Sequence, residues 1–256
     1  AGCNTISACN VFIGFEAGHC MCNGNSNIAL GKSALCGSST VANNTGKYNI
    51  SFGPSSGKSV TSGQYNLFFG NFAGGNVTSG ACNVYLGRGA GGATGSGGTG
   101  NSNIAIGCYT GGALSSGAYN VMFGRGAGCC INTGASNVII GYDSGKCLCN
   151  GNTNVAIGLN ALKGSGTVAS NTAQNNIAVG KEAGADVTSG KCNVFLGLYA
   201  GHAISEGNCN IAVGTNAGIG VTTGSDNIFM GANSGQKTTT GLNNIIMGTN
   251  AGLEQI

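Results

Sequence analysis

One phrase of five residues, Asn, an aliphatic residue, any residue, a second apolar residue and Gly, recurs fourteen times along the 256-residue chain. Its Asn falls at Asn10, Asn27, Asn49, Asn66, Asn83, Asn103, Asn120, Asn137, Asn154, Asn176, Asn193, Asn210, Asn227 and Asn244. Ten of the thirteen intervals are 17 residues, two are 22 and one is 20. A second period lies above the first, since "CMCNGNSNIALG" (20–31) returns as "CLCNGNTNVAIG" (147–158), 127 residues later. The chain therefore reads as two tandem blocks of seven repeats, about 3–129 and 130–256, in one continuous domain.

A 17-residue unit is too short for a helix, a strand and their connections. It holds one short β-branched run between turn residues, which predicts strand, turn, short strand, turn. A single unit cannot bury a core, whereas stacked units can. The expected fold is all-β: a β-solenoid of 14 coils, ~17 residues each, rising ~4.8 Å per coil to a rod of roughly 65–70 Å.

Columns of equivalent residues, counted from the Asn, carry the detail. The +1 column (Val11, Ile28, Ile50 and onward) and the +3 column (Ile13, Leu30, Phe52 and onward) are apolar in all fourteen copies. Both are expected to face inward, as is the +11 column with Met21, Val60, Val77, Leu114, Ile131, Leu148, Val187, Ile204 and Val221. The Gly at +4 is present in every copy, as a turn with positive φ requires. The Asn column predicts a ladder of side-chain amides, each donating to one neighbour and accepting from the other.

Alternation along a strand then turns the +2 column outward. Phe12, Phe68, Tyr85, Met122, Ile139, Phe195, Phe229 and Ile246 stand there among Ala residues and one Ser. An apolar stripe along a rod is an interface, so these residues are expected to pack against other copies of the chain.

"NVFLGLYAGHAISEGNCNIAVGTNAG" (193–218) resembles the head repeats of trimeric autotransporter adhesins, and more closely the longer Asn-x-x-x-Gly repeats of phage tail fibres and bacterial surface fibre proteins. The resemblance covers nearly the whole chain through one short motif. It implies a solenoid stalk, often trimeric, on a cell or virion surface. The unit here is longer than the adhesins' own and richer in Cys.

Thirteen Cys are unusual for a cytosolic chain. Stacking would bring equivalent Cα atoms on neighbouring coils to about 5 Å, within disulfide range. Cys192 with Cys209 and Cys130 with Cys147 share columns on adjacent coils, and Cys20 with Cys36 are nearly aligned. Cys82 and Cys108 lack such a neighbour and are the candidates for free or intermolecular thiols. "CMC" and "CLC" lack the paired C-x-x-C or carboxylate company of a metal site, so neither metal nor cofactor is expected.

Catalysis is not expected either. The only two His, His19 and His202, share the +9 turn position, and no nucleophile with an orienting acid accompanies both. "GRGAGG" (87–92) follows from the Gly columns and opens no helix, so it is no dinucleotide fingerprint. Charged residues are 7% of the chain and its ten Lys and Arg never cluster, which argues against nucleic acid as a partner. No apolar run approaches a membrane span. Ice binding would need Thr-x-Thr in register, and only sporadic "TTG" and "TSG" occur. Of three glycosylation sequons, those at Asn43 and Asn76 fall in loops, and the one at Asn49 lies in the ladder.

The opening "AGCN" breaks into a repeat, which suggests a processed product or a fragment. The leading expectation is a structural, fibre-forming solenoid that self-assembles head-to-tail or laterally into an extracellular or virion-surface filament. The alternative is an adhesin or receptor-binding tail-fibre shaft that touches a host glycan or protein. Nine residues before Asn10 and twelve after Asn244 would complete a 22-residue interval if subunits stacked end to end.

Overall fold

The computed structural model describes residues 9–39, 44–92, 97–164 and 171–253. The sequon at Asn43 and the end segments 1–8 and 254–256 lie outside them. The chain is an all-β β-solenoid with fourteen parallel three-residue strands and no helix among the described residues. It divides into two compact units, Ala1–Thr133 and Gly134–Ile256, close to the boundary between the sequence blocks.

Unit 1 carries β1 (Val11–Ile13), β2 (Ile28–Leu30), β3 (Ile50–Phe52), β4 (Leu67–Phe69), β5 (Val84–Leu86), β6 (Ile104–Ile106) and β7 (Val121–Phe123). Unit 2 carries β8 (Val138–Ile140), β9 (Val155–Ile157), β10 (Ile177–Val179), β11 (Val194–Leu196), β12 (Ile211–Val213), β13 (Ile228–Met230) and β14 (Ile245–Met247). Within each unit every strand pairs with the next in exact repeat register, as in Val11↔Ile28 and Ile177↔Val194. The insertions of the 22- and 20-residue intervals do not disturb it: Ile28↔Ile50, Val84↔Ile104 and Val155↔Ile177 keep the register.

Each strand is bounded by two devices already visible in the repeat. Before it stands the Asn. Asn66 donates both its backbone N–H and its Nδ2 to Asn49 Oδ1, at 3.1 and 3.0 Å, and Nδ2 also reaches Gly80 O at 2.8 Å. The same arrangement runs from Asn49 to Asn120 in unit 1 and from Asn154 to Asn244 in unit 2, each Asn bonding to its predecessor. The ladder thus binds backbone as well as amides. The sequon Asn49 is fully buried in it. After the strand comes the +4 Gly, for instance Gly197 at φ +135, where an added Cβ would stand 2.6 Å from Gly214 O. Neither the conformation nor the space admits a side chain.

The side-chain directions correct the sequence reading. The +2 column is the core. Phe68, Met122, Ile139, Phe195 and Phe229 are 0% exposed, Tyr85 2% and Ile246 7%, with Phe12 half-buried in the first coil. These eight residues are buried by their own chain and are not a subunit interface. The +1 and +3 columns point to solvent: Val11, Ile13, Leu30, Phe69 and Ile177 are 49%, 58%, 40%, 56% and 41% exposed.

The physical reason lies in parity and room. The Asn and the +2 residue share one side of the strand, and an amide ladder satisfies its polar atoms best when it is buried. Facing the +2 column are a column of Ala, Ser or Thr at +7 and a Gly at +8, which leave space for a ring. Ala17, Ala73, Ala127, Ala183, Ala200 and Ala217 are all fully buried there. The +11 column is inward as expected, with Met21, Val60, Ile131, Leu148, Val187, Ile204 and Val221 at 0% exposure.

Large and small residues are mixed along this thin core, with Phe68 stacked on Tyr85 and Ala156 beside Ala178. Phe195 lies between Ala178 and Ala212 in the register. Where +2 is Ala29 or Ala156, the usual +8 Gly is replaced by Leu35 or Leu162, both buried and both at positive φ (45° and 44°). Ser51, the polar member of the +2 column, bonds to Ser56 Oγ at 2.6 Å, and Ser56 in turn to Gly53 O at 2.8 Å.

Candidate functional site: the outward sheet face

With +2 inside, the strands present +1 and +3 outward. Those two columns hold only Val, Ile, Leu, Phe and Met, fourteen residues in each unit. Isolated exposed apolar residues need no explanation, but these are contiguous. Their side chains stack along the ladder, with the Phe52 and Phe69 rings 5.5 Å apart. Seven of the fourteen in unit 1 and eight of the fourteen in unit 2 are exposed and the others half-buried, so each unit carries one continuous apolar stripe where a monomer surface usually carries scattered residues.

The borders of the stripe are polar. At −1 stand Ser26, Cys82, Ser102, Ser136, Thr153, Asn175 and Asp226, interrupted by exposed Tyr48, Tyr65 and Tyr119. Tyr48 and Tyr65 stack at 4.8 Å. Beyond +3 a turn carries cations over rings: Lys32 over Phe15, Arg88 over Tyr109 and Lys181 over Tyr199, at 5.9, 5.1 and 5.5 Å. An apolar centre with an aromatic and polar rim is the anatomy of a protein interface.

The cysteines divide by place. Cys192 and Cys209 sit at −1 on successive coils, where their exposed thiols meet, and burial together with Asp226 and Cys192 raises the Cys209 thiol above its ordinary range. Cys20 N–H donates to Cys36 O at 2.8 Å, and burial, with Cys20 and Glu16 nearby, raises the Cys36 thiol above its ordinary range. Both pairs stand as thiols in the structure. Cys130 belongs to unit 1, where its Sγ lies 3.5 Å from Cys129 Sγ, and Cys147 belongs to unit 2. Cys82 is exposed at −1 and Cys108 half-buried at +5. Among the described residues no three His, Cys, Asp or Glu converge as a metal site, and no helix is long and apolar enough to cross a membrane.

Sequence reasoning missed the company of His202. Glu182, from the preceding coil, reaches its Nε2 at 3.4 Å, and Asp186 reaches its Nδ1 at 3.6 Å. Glu182 at +6 and His202 at +9 are twenty residues apart, and only the stacking of coils joins them. The shallow cleft beside them is also lined by Lys146, Cys147 and Lys163. His19 is partnered differently, by Cys20 Sγ at 3.3 Å.

The chain matches no protein-family model, no curated protein and no solved structure.

Proposed function

We propose that this chain is a structural solenoid whose copies pack against one another through the outward +1/+3 face, building an extracellular or virion-surface filament or shaft. The observation that carries the reading is the face itself: apolar at every outward strand position, exposed, and rimmed by polar and aromatic residues. A partner must match a row of ridges repeating every ~4.8 Å over seven coils, and a second copy of the same ladder has that spacing by construction. Few charges, a thin core and hydrogen bonds along the axis suit a mechanical element.

The test replaces outward residues in both units: Leu30→Lys, Leu86→Lys, Ile157→Lys and Leu196→Lys in one chain. The parent should sediment as an oligomer or filament and the variant as a monomer, with unchanged far-ultraviolet circular dichroism because no core residue is touched. Assembly of unchanged size in the variant would reject the proposal.

A second reading, an adhesin or trimeric tail-fibre shaft, is favoured by the aromatic turn at +6, where Phe72, Tyr109 and Tyr199 carry Lys58, Arg88 and Lys181 over their rings. Binding of the monomeric Lys variant to a glycan array, lost on Tyr109→Ala and Tyr199→Ala, would support it.

A further inference from the structure

Among the differences between the tandem blocks is a pair of substitutions in one turn, His19 for Lys146 and Cys36 for Lys163. Cys20 and Cys147 are equivalent, and each donates its N–H to the coil above, at 2.8 Å in both cases. In unit 2 the acceptor is the carbonyl of Lys163, and the residue before Cys147 is Lys146. In unit 1 the acceptor is Cys36, and the residue before Cys20 is His19. Only the first block therefore sets two cysteines face to face across coils beside an imidazole.

The geometry of this turn is held from several sides. His19 Nδ1 lies 3.3 Å from Cys20 Sγ. Asn44 Nδ2 donates to Cys20 O at 2.8 Å, tying the turn to the coil above. Cys20 and Cys36 are half-buried and His19 is exposed, so a small reagent reaches the thiols and the imidazole can pass a proton to water. Cys22 is nearly buried at 8% exposure. Burial, then Cys20 and Glu16, raises the Cys36 thiol above its ordinary range, which holds it protonated while its neighbour reacts.

We propose that Cys20 and Cys36 are a redox pair that closes between coils by exchange with a small-molecule disulfide, Cys20 attacking and Cys36 resolving, with His19 taking the Cys20 proton. In the first step Cys20 Sγ bonds to one sulfur of the reagent, the reagent's S–S bond breaks, and the departing thiolate takes the proton that His19 removed. In the second, Cys36 Sγ attacks Cys20 Sγ, the second reagent thiol leaves with the Cys36 proton, and the Cys20–Cys36 bond remains. Two protein thiols lose two electrons and two protons, and one reagent disulfide takes them up to become two thiols. The site would lock the first turn of unit 1 when the chain meets an oxidising compartment, whether or not copies assemble.

The experiment treats the full chain with glutathione disulfide, alkylates remaining thiols at timed points, and maps the non-reduced tryptic digest by mass spectrometry. Cleavage after Lys32 and Lys47 links peptide 1–32 to 33–47, fragmentation of that pair assigns the bond to Cys20 rather than Cys3, Cys9 or Cys22, and a non-reducing gel shows that it lies within one chain. The expected first product is Cys20–Cys36. Cys36→Ser should trap glutathione on Cys20. His19→Gln should slow closure about tenfold, below the roughly 10²–10⁴ of a base in a closed active site because this turn is open to water. The Cys192–Cys209 pair, which has no imidazole beside it, should react at the same rate in both proteins. Wild-type protein in which Cys20 and Cys36 stay alkylated thiols, or pair with other cysteines, overturns the proposal, as does glutathione trapped on Cys36 rather than Cys20.

Discussion

The Phe195 ring lies against glycines of two coils, Gly184 of the one before and Gly201 of its own. A Cβ built on Gly184 would stand 2.5 Å from Phe195 Cδ2, and Gly201 has no more room. The ring is thus a wedge in the core of unit 2. Phe195→Ala should lower stability by about 3–5 kcal/mol, the range for a buried aromatic truncated to Ala. Phe195→Lys should abolish folding of the neighbouring coils, read as lost amide-exchange protection across 176–217. A folded Lys variant with impaired assembly would instead place Phe195 at an interface.

The ladder is the second target. Asn193 donates to Asn176 Oδ1 at 3.0 Å and Gly207 O at 2.8 Å, and accepts from Asn210 N at 2.8 Å. Asn193→Ala leaves Gly207 O and the Asn210 N–H without partners, while the backbone N–H at 193 still bonds to Asn176 Oδ1. At ~1–3 kcal/mol for each unsatisfied group, a loss of about 3–5 kcal/mol in chemical denaturation is expected. A loss under about 1 kcal/mol would show that water replaces the amide.

Tyr85 makes unit 1 sensitive to base. Its side chain is buried beside Phe68, the rings 5.6 Å apart. Burial pushes its hydroxyl well above the ordinary value of 10.0, against a smaller opposing hydrogen bond with Asn103. Above that ordinary value the unfolded chain has released the proton and the folded chain still holds it. Unfolding is then favoured, and stability falls by about 1.4 kcal/mol per pH unit. Below it the two states bind the proton alike and this dependence vanishes. Tyr85→Phe keeps the buried ring and should flatten the slope above pH 10.

Ala156 and Leu162 share one coil's filling, the leucine occupying the place that other coils leave to a +2 side chain. Leu162→Gly alone should cost about 2–5 kcal/mol as a cavity, and Ala156→Phe alone should destabilise through overpacking. Together they recreate the common ring-plus-glycine coil, so the pair should be less destabilising than the sum by at least 1 kcal/mol. Strict additivity in the double-mutant cycle would contradict this packing.

Much of this architecture is legible in the chain. The repeat of Asn and Gly places the one strand of each coil, the unit's length excludes a helix, and the +11 aliphatic column is inward as expected; the second short strand expected in each unit is reduced, among the described residues, to isolated bridges such as Val77 with Gly98. The amide ladder too follows from stacking identical residues. Its backbone branch, Asn66 N–H to Asn49 Oδ1, is set by the tertiary structure, because it depends on where the preceding turn aims the peptide.

What tertiary structure alone decided is which side of the strand is inside. A three-residue strand such as Val194–Leu196 is apolar on both sides, so period-two alternation carries no amphipathic signal and either parity satisfies it. The choice is made by residues far along the coil: the small residue at +7 and the glycine at +8 open space on one side only, and the buried Asn, of the same parity as Phe195, commits the strand to it. His202 meets Glu182, and Cys20 meets Cys36, for the same reason. Stacking sets the turn of one coil against the turn of the next, so Glu182 at +6 meets His202 at +9 across twenty residues of chain.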